Sequence, residues 1–173
     1  MKETGVIRRI DELGRVVIPK EVRKKLKIRE GDLLDIYLNG NNIVLQKYSL
    51  LNDLVVILQT ILDSIKKTYG VEVVITDMER IIASTKSSVL TTDTITANYL
   101  SLISKNEEQY LNASSVPPIT DNFKTEENII FKPISLYQDL FGSVIVFIDN
   151  SITNKYHEIM TFLYRFIIDY IET

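Results

Sequence analysis

The chain carries, at residues 5–19, the stretch GVIRRIDELGRVVIP, which decides how its first part folds. Two runs rich in β-branched and basic residues, 5–10 and 15–18, flank the turn residues Asp11 to Gly14. This pattern predicts two short strands joined by a turn. Pro19 cannot donate a hydrogen bond to a strand ladder but suits the first position of a helix. We therefore expect a short helix directly after it.

Glycines mark two turns in this part of the chain. Gly14 enters the second predicted strand, where we expect a positive φ that glycine adopts at little cost. Further on, the apolar runs 33–38 and 43–47 bracket Asn39-Gly40-Asn41-Asn42. Asn-Gly is a strong hairpin signal, because both residues tolerate positive φ. The predicted order is strand, strand, short helix, strand, strand.

The charge of the chain is divided unevenly. Residues 1–50 hold 11 Lys and Arg against 7 Asp and Glu, whereas residues 51–173 hold 9 against 16. The net charge of −3 thus hides a basic part and an acidic part, which predicts two domains, 1–50 and 51–173, with different partners. A part of about 50 residues buries too little surface to be stable alone. We therefore expect a second copy of the chain to complete it in a symmetric dimer.

The first part resembles the swapped-hairpin DNA-binding domain of the AbrB family of bacterial transition-state regulators. The resemblance rests on Thr4-Gly5, Arg8-Arg9, Asp11 to Pro19, Glu21-Val22-Arg23 and Ile28 to Asp32. It implies a small β-rich swapped-hairpin domain that dimerises and binds double-stranded DNA. Carried over position by position, the DNA-binding residues are Arg8, Arg9, Arg15, Arg23 and Lys24, and charge alone adds Lys20 and Lys25.

Other interpretations of these charges stay open. Basic side chains often do no more than solvate a surface, although guanidinium groups can also grip phosphates or read guanine edges. Asp11, Glu12 and Glu30 could gather around a metal ion or act as acids and bases. Acidic residues beside phosphate contacts would repel DNA, so we expect these three to orient Arg side chains or to cap turns.

Residues 51–173 show the element order of an α+β domain. Apolar residues recur every three or four positions from Leu50 to Lys67, which predicts an amphipathic helix that Ser49 or Asn52 caps and Gly70 ends. The later predicted elements are strands at 71–76, 81–84, 128–133 and 142–148, a helix within 94–104 and a last helix from Asp149 to about Glu172. We expect an antiparallel sheet covered by the two terminal helices.

This order resembles the GAF domain, a small-ligand sensor fold with flanking helices. An AbrB-like domain followed by a GAF-like domain resembles the plan of sporulation regulators in that family. A ligand pocket would lie between the sheet and residues 85–127; alternatively, side chains fill that space and the domain only oligomerises. Apolar residues of the last helix, from Ile159 to Ile171, occupy more than one face. This pattern favours a tetramer built from two dimers through the C-terminal helices.

Other classes of function find little support in the sequence. The chain has no Cys and one His, His157 beside Glu158, and its glycines stand singly. We therefore expect no enzyme, no metal and no cofactor, and a metabolic enzyme with an incidental basic edge is the least favoured class. No stretch has the length and apolarity of a membrane span, and no export signal opens the chain, so a cytoplasmic protein is expected.

The predicted function is that of a sequence-specific transcriptional regulator of sporulation or transition-state genes. The alternative is an antitoxin, a DNA-binding interaction protein that neutralises a toxin partner. Such proteins wrap the toxin with a tail that is usually short and poorly packed. A second part of this length, rich in Ile, Leu and Phe, argues against that alternative.

Overall fold

The computed structural model describes residues 5–28, 30, 32–91, 93–149 and 154–172. The chain divides into two compact units, Met1–Tyr48 and Ser49–Thr173, close to the predicted domain boundary. Each unit has a β-sheet of its own, two-stranded in the first and five-stranded in the second. Among the described residues, no helix is long and apolar enough to cross a membrane.

The first unit contains a short helix and a hairpin. Helix α1 spans Lys20–Lys25 and follows Pro19 directly, as predicted. Strands β1 (Leu34–Asn39) and β2 (Asn42–Lys47) pair antiparallel. Gly40, in the two-residue turn between them, has φ 59°, which confirms the predicted hairpin.

The strands predicted at 5–10 and 15–18 do not form within a single chain. The structure retains the turn that joins them, closed by hydrogen bonds from Asp11 N to Arg15 O (3.1 Å) and from Gly14 N to Asp11 O (3.0 Å). A strand needs a neighbouring strand to take up its backbone hydrogen bonds. One copy of the chain supplies no such neighbour to the described residues here, so the prediction is wrong for the single chain.

The second unit is built on an antiparallel sheet with the strand order β4-β3-β7-β6-β5. Its strands are β3 (Val73–Thr76), β4 (Ile81–Ser84), β5 (Gln109–Leu111), β6 (Asn128–Leu136) and β7 (Asp139–Ile148). The sequence did not predict β5, because three residues are too few to show an alternating pattern. The hairpin of β3 and β4 is confirmed.

Strands β6 and β7 are longer than predicted, and the turn between them is shorter. The sequence predicted strands at 128–133 and 142–148, but pairing continues to Leu136 and Asp139, so only Tyr137 and Gln138 lie between the strands. Both residues have positive φ, 50° and 76°. A two-residue turn with this handedness matches the twist of a hairpin, so pairing continues almost to its tip.

Two helices cover one face of this sheet, as predicted. A 3₁₀ turn at Leu50–Leu54 leads into α2 (Val55–Tyr69), and α4 spans Asn154–Ile171. Their buried residues, such as Leu58 and Leu163, join one hydrophobic core with the sheet. Gly70 ends α2 with φ 67°, as expected.

The predicted caps of these helices have different outcomes. Ser49 makes no side-chain capping hydrogen bond. Asn52 accepts a hydrogen bond from Arg80 (3.0 Å) through its side-chain oxygen instead of capping the helix. The predicted start of the last helix includes residues 150–153, which lie outside the described part of the chain.

Helix α3 (Ala97–Ile103) packs on the other face of the sheet, in a second core with segment 116–123. Its Tyr99 is fully buried and meets Phe131 edge to face, with ring centroids 5.9 Å apart. Burial raises the pKa of Tyr99, although its hydroxyl bonds Ser143 Oγ (2.7 Å), which in turn bonds Thr76 Oγ1 (2.9 Å). The buried hydroxyls are thus paired with one another.

The close approach of β7 to β3 depends on Gly142. A Cβ at this position would lie 1.9 Å from Thr76 O, whereas a Cβ at Gly70 would meet nothing within 4 Å. We predict that Gly142→Ala lowers the melting temperature of the chain much more than Gly70→Ala, whose cost is limited to backbone strain of about 1 kcal/mol. Thermal unfolding followed by circular dichroism measures both. Equal shifts would contradict the role assigned to Gly142.

Candidate nucleic-acid interface

Every residue predicted to contact DNA lies in the first unit and is exposed. Helix α1 carries four of them, Lys20, Arg23, Lys24 and Lys25. Residues three or four apart share one side of a helix, so Lys20, Arg23 and Lys24 form one basic face. Arg8 and Arg9 lie on the segment before the turn, and the Arg8 guanidinium donates to Ile7 O (3.3 Å).

Arg15 and Asp11 form the most ordered part of this surface. One Asp11 oxygen accepts hydrogen bonds from the backbone N–H of Leu13 (3.0 Å) and of Arg15 (2.9 Å), and the other accepts from Arg15 Nε (2.8 Å). The backbone N–H and the guanidinium of Arg15 hold the pKa of Asp11 below its usual value, so the carboxylate stays ionised at neutral pH. The expectation that Asp11 orients an Arg and caps a turn is confirmed.

The end of α1 is fastened to the hairpin by Lys47, a residue that the sequence analysis did not single out. Lys47 Nζ donates to Lys27 O (3.2 Å) and pairs with Asp32 (3.1 Å). Lys27 itself has φ 52°, and Ile28 N donates to Arg23 O (2.8 Å). A lysine at the end of β2 was the only sign of this contact in the sequence.

Glu12 and Glu30 remain exposed at the surface of the first unit. The metal-binding alternative required them to gather with Asp11. Among the described residues, no group of three or more His, Asp or Glu side chains could hold a metal ion.

The described part of the first unit has no buried residue. Its hairpin places Ile36 and Leu38 opposite Leu45 and Ile43 on one face of the two strands. Ile36, Leu38 and Ile43 are 65%, 76% and 66% exposed. This apolar face, hereafter the hairpin face, lacks a cover within the described chain.

In the second unit, side chains fill the space where a ligand pocket was considered. Val89, Ile95, Tyr99 and Ile119 are buried there against the sheet. A shallow depression beside α3, lined by Thr96, Ala97, Asn98, Pro118 and Asp121, opens to solvent. His157 and Glu158 are exposed on α4. The arrangement favours the alternative in which side chains fill the space between the sheet and residues 85–127.

An ion cluster fastens the excursion at 85–127 to the sheet. Lys86 pairs with both Glu72 and Glu127 and lies 4.6 Å from the centroid of the Phe147 ring. Burial alone would raise the pKa of Glu72, but hydrogen bonds from Lys66 and Lys86 outweigh it and leave this pKa below its usual value. The Glu72 carboxylate is therefore ionised at neutral pH.

Comparison with known proteins assigns the first unit to a family. Residues 7–51 match the model described as Antidote-toxin recognition MazE, bacterial antitoxin. In Bacillus subtilis (strain 168), Transition state regulatory protein AbrB is 56% identical over 48 residues, which cover 28% of this chain and 50% of that protein. The first unit is a MazE/AbrB-type domain. The resemblance to the AbrB family is thereby confirmed for this part of the chain.

Similarity to a second protein reaches beyond this domain. Stage V sporulation protein T of Bacillus subtilis (strain 168) is 45% identical over 89 residues, which cover 51% of this chain and 50% of that protein. This alignment is longer than the AbrB-type domain and so enters the second unit. The chain spans about half the length of the curated relatives it matches. The GAF-like resemblance of the second unit stays a prediction.

Solved structures similar to the chain cover the AbrB-type domain. The solution structure of the N-domain of the transcription factor abrB is 55% identical and covers 28% of this chain and 94% of that chain, with a TM-score of 0.27. The refined solution structure of the N-terminal DNA recognition domain of the Bacillus subtilis transition-state regulator AbrB is also 55% identical. It covers 28% of this chain and 92% of that chain, with a TM-score of 0.25.

Gly14 has φ 75°, as the sequence predicted, and a Cβ there would meet nothing within 4 Å. We therefore predict that Gly14→Val destabilises the AbrB-type domain through the backbone alone, by about 1 kcal/mol or more. Chemical unfolding followed by circular dichroism measures the change. Gly5→Val serves as the control, because a side chain there also meets nothing within 4 Å and Gly5 has no strained φ. Unchanged unfolding of Gly14→Val together with lost DNA binding would show that Gly14 acts by contact instead.

Proposed function

We propose that the chain is a sequence-specific DNA-binding transcriptional regulator of sporulation or transition-state genes. The observation that carries the proposal is the AbrB-type domain, which is 56% identical over 48 residues to a transition state regulatory protein. A regulator of this kind acts on the bacterial chromosome, and hence in the cytoplasm. It needs no catalytic group, so we propose no enzymatic activity.

The charge of the AbrB-type domain supports binding to a polyanion. Residues 1–50 carry a net charge of about +4, and two copies double it. Exposed Arg and Lys side chains neutralise phosphates and release their condensed counterions, which drives association with DNA. Arg23 and Lys24 on α1 belong to this phosphate-contacting set, as do Arg8 and Arg9.

A second copy of the chain completes the AbrB-type domain. The hairpin face exposes Ile36, Leu38 and Ile43, and a small unit without a buried residue lacks the apolar burial that stabilises a fold. A second copy would cover this face and would also supply neighbours to 5–10 and 15–18. This is the swapped-hairpin dimer expected from the sequence.

The second unit joins such dimers into tetramers through α4. Phe162, Phe166 and Tyr170 follow each other at intervals of four residues and so form a stripe along the helix. The rings of Phe162 and Phe166 stack with centroids 6.4 Å apart, and Phe162 is 53% exposed. Leu163 lies off this stripe and is buried in the core. A second copy of α4 is the matching occupant of an apolar stripe on a helix.

The GAF-like interpretation of the second unit is supported by its layers. Helices α2 and α4 cover one face of an antiparallel sheet, and the excursion at 85–127 covers the other. The filled space under this excursion favours an oligomerising role over ligand sensing. A small-molecule ligand therefore does not form part of the proposal.

An antitoxin is the second candidate, and the description of the matching family model favours it. The packed second unit favours the regulator, because toxin-binding tails are usually disordered before they bind. The antitoxin and the regulator differ in their effect on cells that express a toxin. An antitoxin restores the growth of cells that express its toxin, whereas a regulator of sporulation genes changes transcription and needs no toxin.

Arg23→Ala tests the DNA-binding proposal. We predict weaker binding to a random-sequence duplex library, and a slope of log affinity against log salt that is smaller by about 2 for each dimer that engages the duplex, because each copy in a dimer loses one phosphate contact. Fluorescence anisotropy across a salt series measures both quantities.

The matched control is Arg165→Ala, which removes the same side chain from an exposed position on α4. It should leave both affinity and slope unchanged. An Arg23→Ala protein that keeps its fold, its affinity and its slope would refute the placement of the interface on α1.

Phe162→Glu tests the assembly. We predict that the full chain is a tetramer and that this variant is a dimer, because a buried, unpaired charge in an apolar contact is strongly unfavourable. Light scattering at micromolar concentration measures the mass. The dimer should also bind DNA more weakly, since linked binding units gain roughly 10²–10⁴-fold from avidity when both reach the duplex.

Thr161→Glu is the control for this variant, because Thr161 is exposed one residue away and off the aromatic stripe. It adds the same charge and should leave the tetramer intact. A wild-type chain that is dimeric at micromolar concentration would eliminate the tetramer while leaving the dimeric DNA-binding domain in place.

A further inference from the structure

We propose that Asp11 is a specificity-determining residue, because it holds the Arg15 guanidinium as a fixed fork that reads a guanine base. The inference rests on the proposed function and deepens it. It assigns different tasks to the cations of the AbrB-type domain: Arg15 reads sequence, and the others bind the backbone of the duplex.

Asp11 accepts hydrogen bonds from both the backbone and the side chain of Arg15. Its carboxylate accepts from the backbone N–H of Arg15 (2.9 Å) through one oxygen and from the side-chain Nε (2.8 Å) through the other. An Arg side chain has five N–H donors in a planar arrangement. This contact uses the donor on Nε, and the four donors on the two terminal nitrogens remain available. The Arg15 side chain is 72% exposed, so these donors face solvent.

The turn itself is closed by hydrogen bonds, which hold the position of the fork on the domain. Asp11 N donates to Arg15 O (3.1 Å), Gly14 N donates to Asp11 O (3.0 Å), and Leu13 N donates to the Asp11 side chain (3.0 Å). Backbone and side chain are thus ordered before DNA arrives. Ordering in advance lowers the entropy lost on binding.

A fixed fork suits a base more than a phosphate. Guanine presents O6 and N7 side by side on its major-groove edge, and an Arg that donates to both must hold one orientation. Contacts to phosphate position a protein on the duplex but carry no sequence information, and a mobile cation such as Lys also makes them. A carboxylate beside a phosphate contact would also repel it. The presence of Asp11 against Arg15 therefore favours the base.

Arg9, Lys20, Arg23 and Lys24 lack such a partner among the described residues. In the described part of the chain, Arg15 has an ion pair with Asp11, whereas Arg9, Lys20, Arg23 and Lys24 have no carboxylate at ion-pair distance. Their side chains are free to follow the phosphates. This contrast within one surface assigns the reading of sequence to Arg15.

Asp11→Asn separates the orientation of Arg15 from the shape of the turn. The side-chain oxygen of Asn can still accept the N–H groups of Leu13 and Arg15, so the turn is preserved. Its amide NH₂ replaces the oxygen that accepts from Arg15 Nε, and two donors then face each other. The guanidinium keeps its charge but loses its fixed orientation.

Glu12→Gln is the matched control. Glu12 is exposed one residue from Asp11, and its substitution removes the same charge. No hydrogen bond or ion pair joins it to Arg15 in the described structure. Any effect of net charge on DNA binding should therefore appear equally in both variants.

The experiment selects bound sequences from a random-sequence duplex library with the full chain, for the wild type, Asp11→Asn, Glu12→Gln and Arg15→Ala. We expect a wild-type motif that contains an invariant guanine in each half-site. Asp11→Asn and Arg15→Ala should both lose the preference for that guanine, by roughly ten-fold or more against the other bases. Glu12→Gln should keep it, and the melting temperature of Asp11→Asn should stay at the wild-type value.

A double variant tests whether the two residues act as a unit. Asp11→Asn combined with Arg15→Ala should lose no more of the guanine preference than Arg15→Ala alone, because Asp11 acts through Arg15. Additive losses would overturn the inference. So would an Asp11→Asn motif that matches the wild type, or the same loss in Glu12→Gln.

The measured binding to the unselected library separates this inference from the proposed function. Asp11→Asn should bind the unselected pool at least as tightly as the wild type, with the same salt slope, because no cation is lost. A wild type that binds duplex DNA without selecting any motif overturns the reading by Arg15 but leaves DNA binding intact. A wild type that binds no duplex at all overturns the proposed function, and the inference with it.

Discussion

The hairpin face of the first unit consists of apolar side chains that remain exposed in the single chain. Ile36, Leu38 and Ile43 are each mostly exposed, and no described residue of this unit is buried. Apolar burial is the main favourable contribution to folding. The dimer proposed above would supply the missing core, and the arrangement of the cations toward DNA would then depend on that assembly.

The second unit meets the same requirement within one chain. Its sheet has a hydrophobic core on each face, closed by α2 and α4 on one and by α3 on the other. Tyr99, Ser143 and Thr76 satisfy one another's hydroxyl groups inside it. Phe162 and Tyr170, in the aromatic stripe on α4, are among the apolar side chains that this unit leaves exposed. The two units thus differ in burial: the first has no buried residue among those described, whereas the second has a hydrophobic core on each face of its sheet.

The sequence predicted those elements whose partners lie close along the chain. The β1–β2 hairpin around Gly40 and helix α2 up to Gly70 follow from local turn chemistry and from periodicity over many residues. The strands at 5–10 and 15–18 were wrong for the single chain, because their partners are not local. Strand β5 was missed because its three residues gain their conformation only from pairing with β6.

Within the candidate site, the residue types were predictable but their division of labour was not. A family resemblance named Arg8, Arg15 and Arg23 alike, and nothing in their spacing distinguishes one cation from another. The distinction comes from the turn, where the positive φ of Gly14 folds the chain so that the Asp11 carboxylate meets both ends of Arg15. Lys47 likewise contacts the end of α1 across twenty positions of sequence, a distance that no local pattern reports.

The bare hairpin face would also make DNA binding depend on the concentration of the chain, under the function and the dimer proposed above. When folding requires a second copy, folding and association are one equilibrium, and the folded fraction rises with the total concentration of chain. At low expression the first unit would then stay incomplete and open to proteases, whatever the stability of the second. As expression rises, complete DNA-binding domains would accumulate faster than linearly. A threshold in gene control would follow from the rate of synthesis alone.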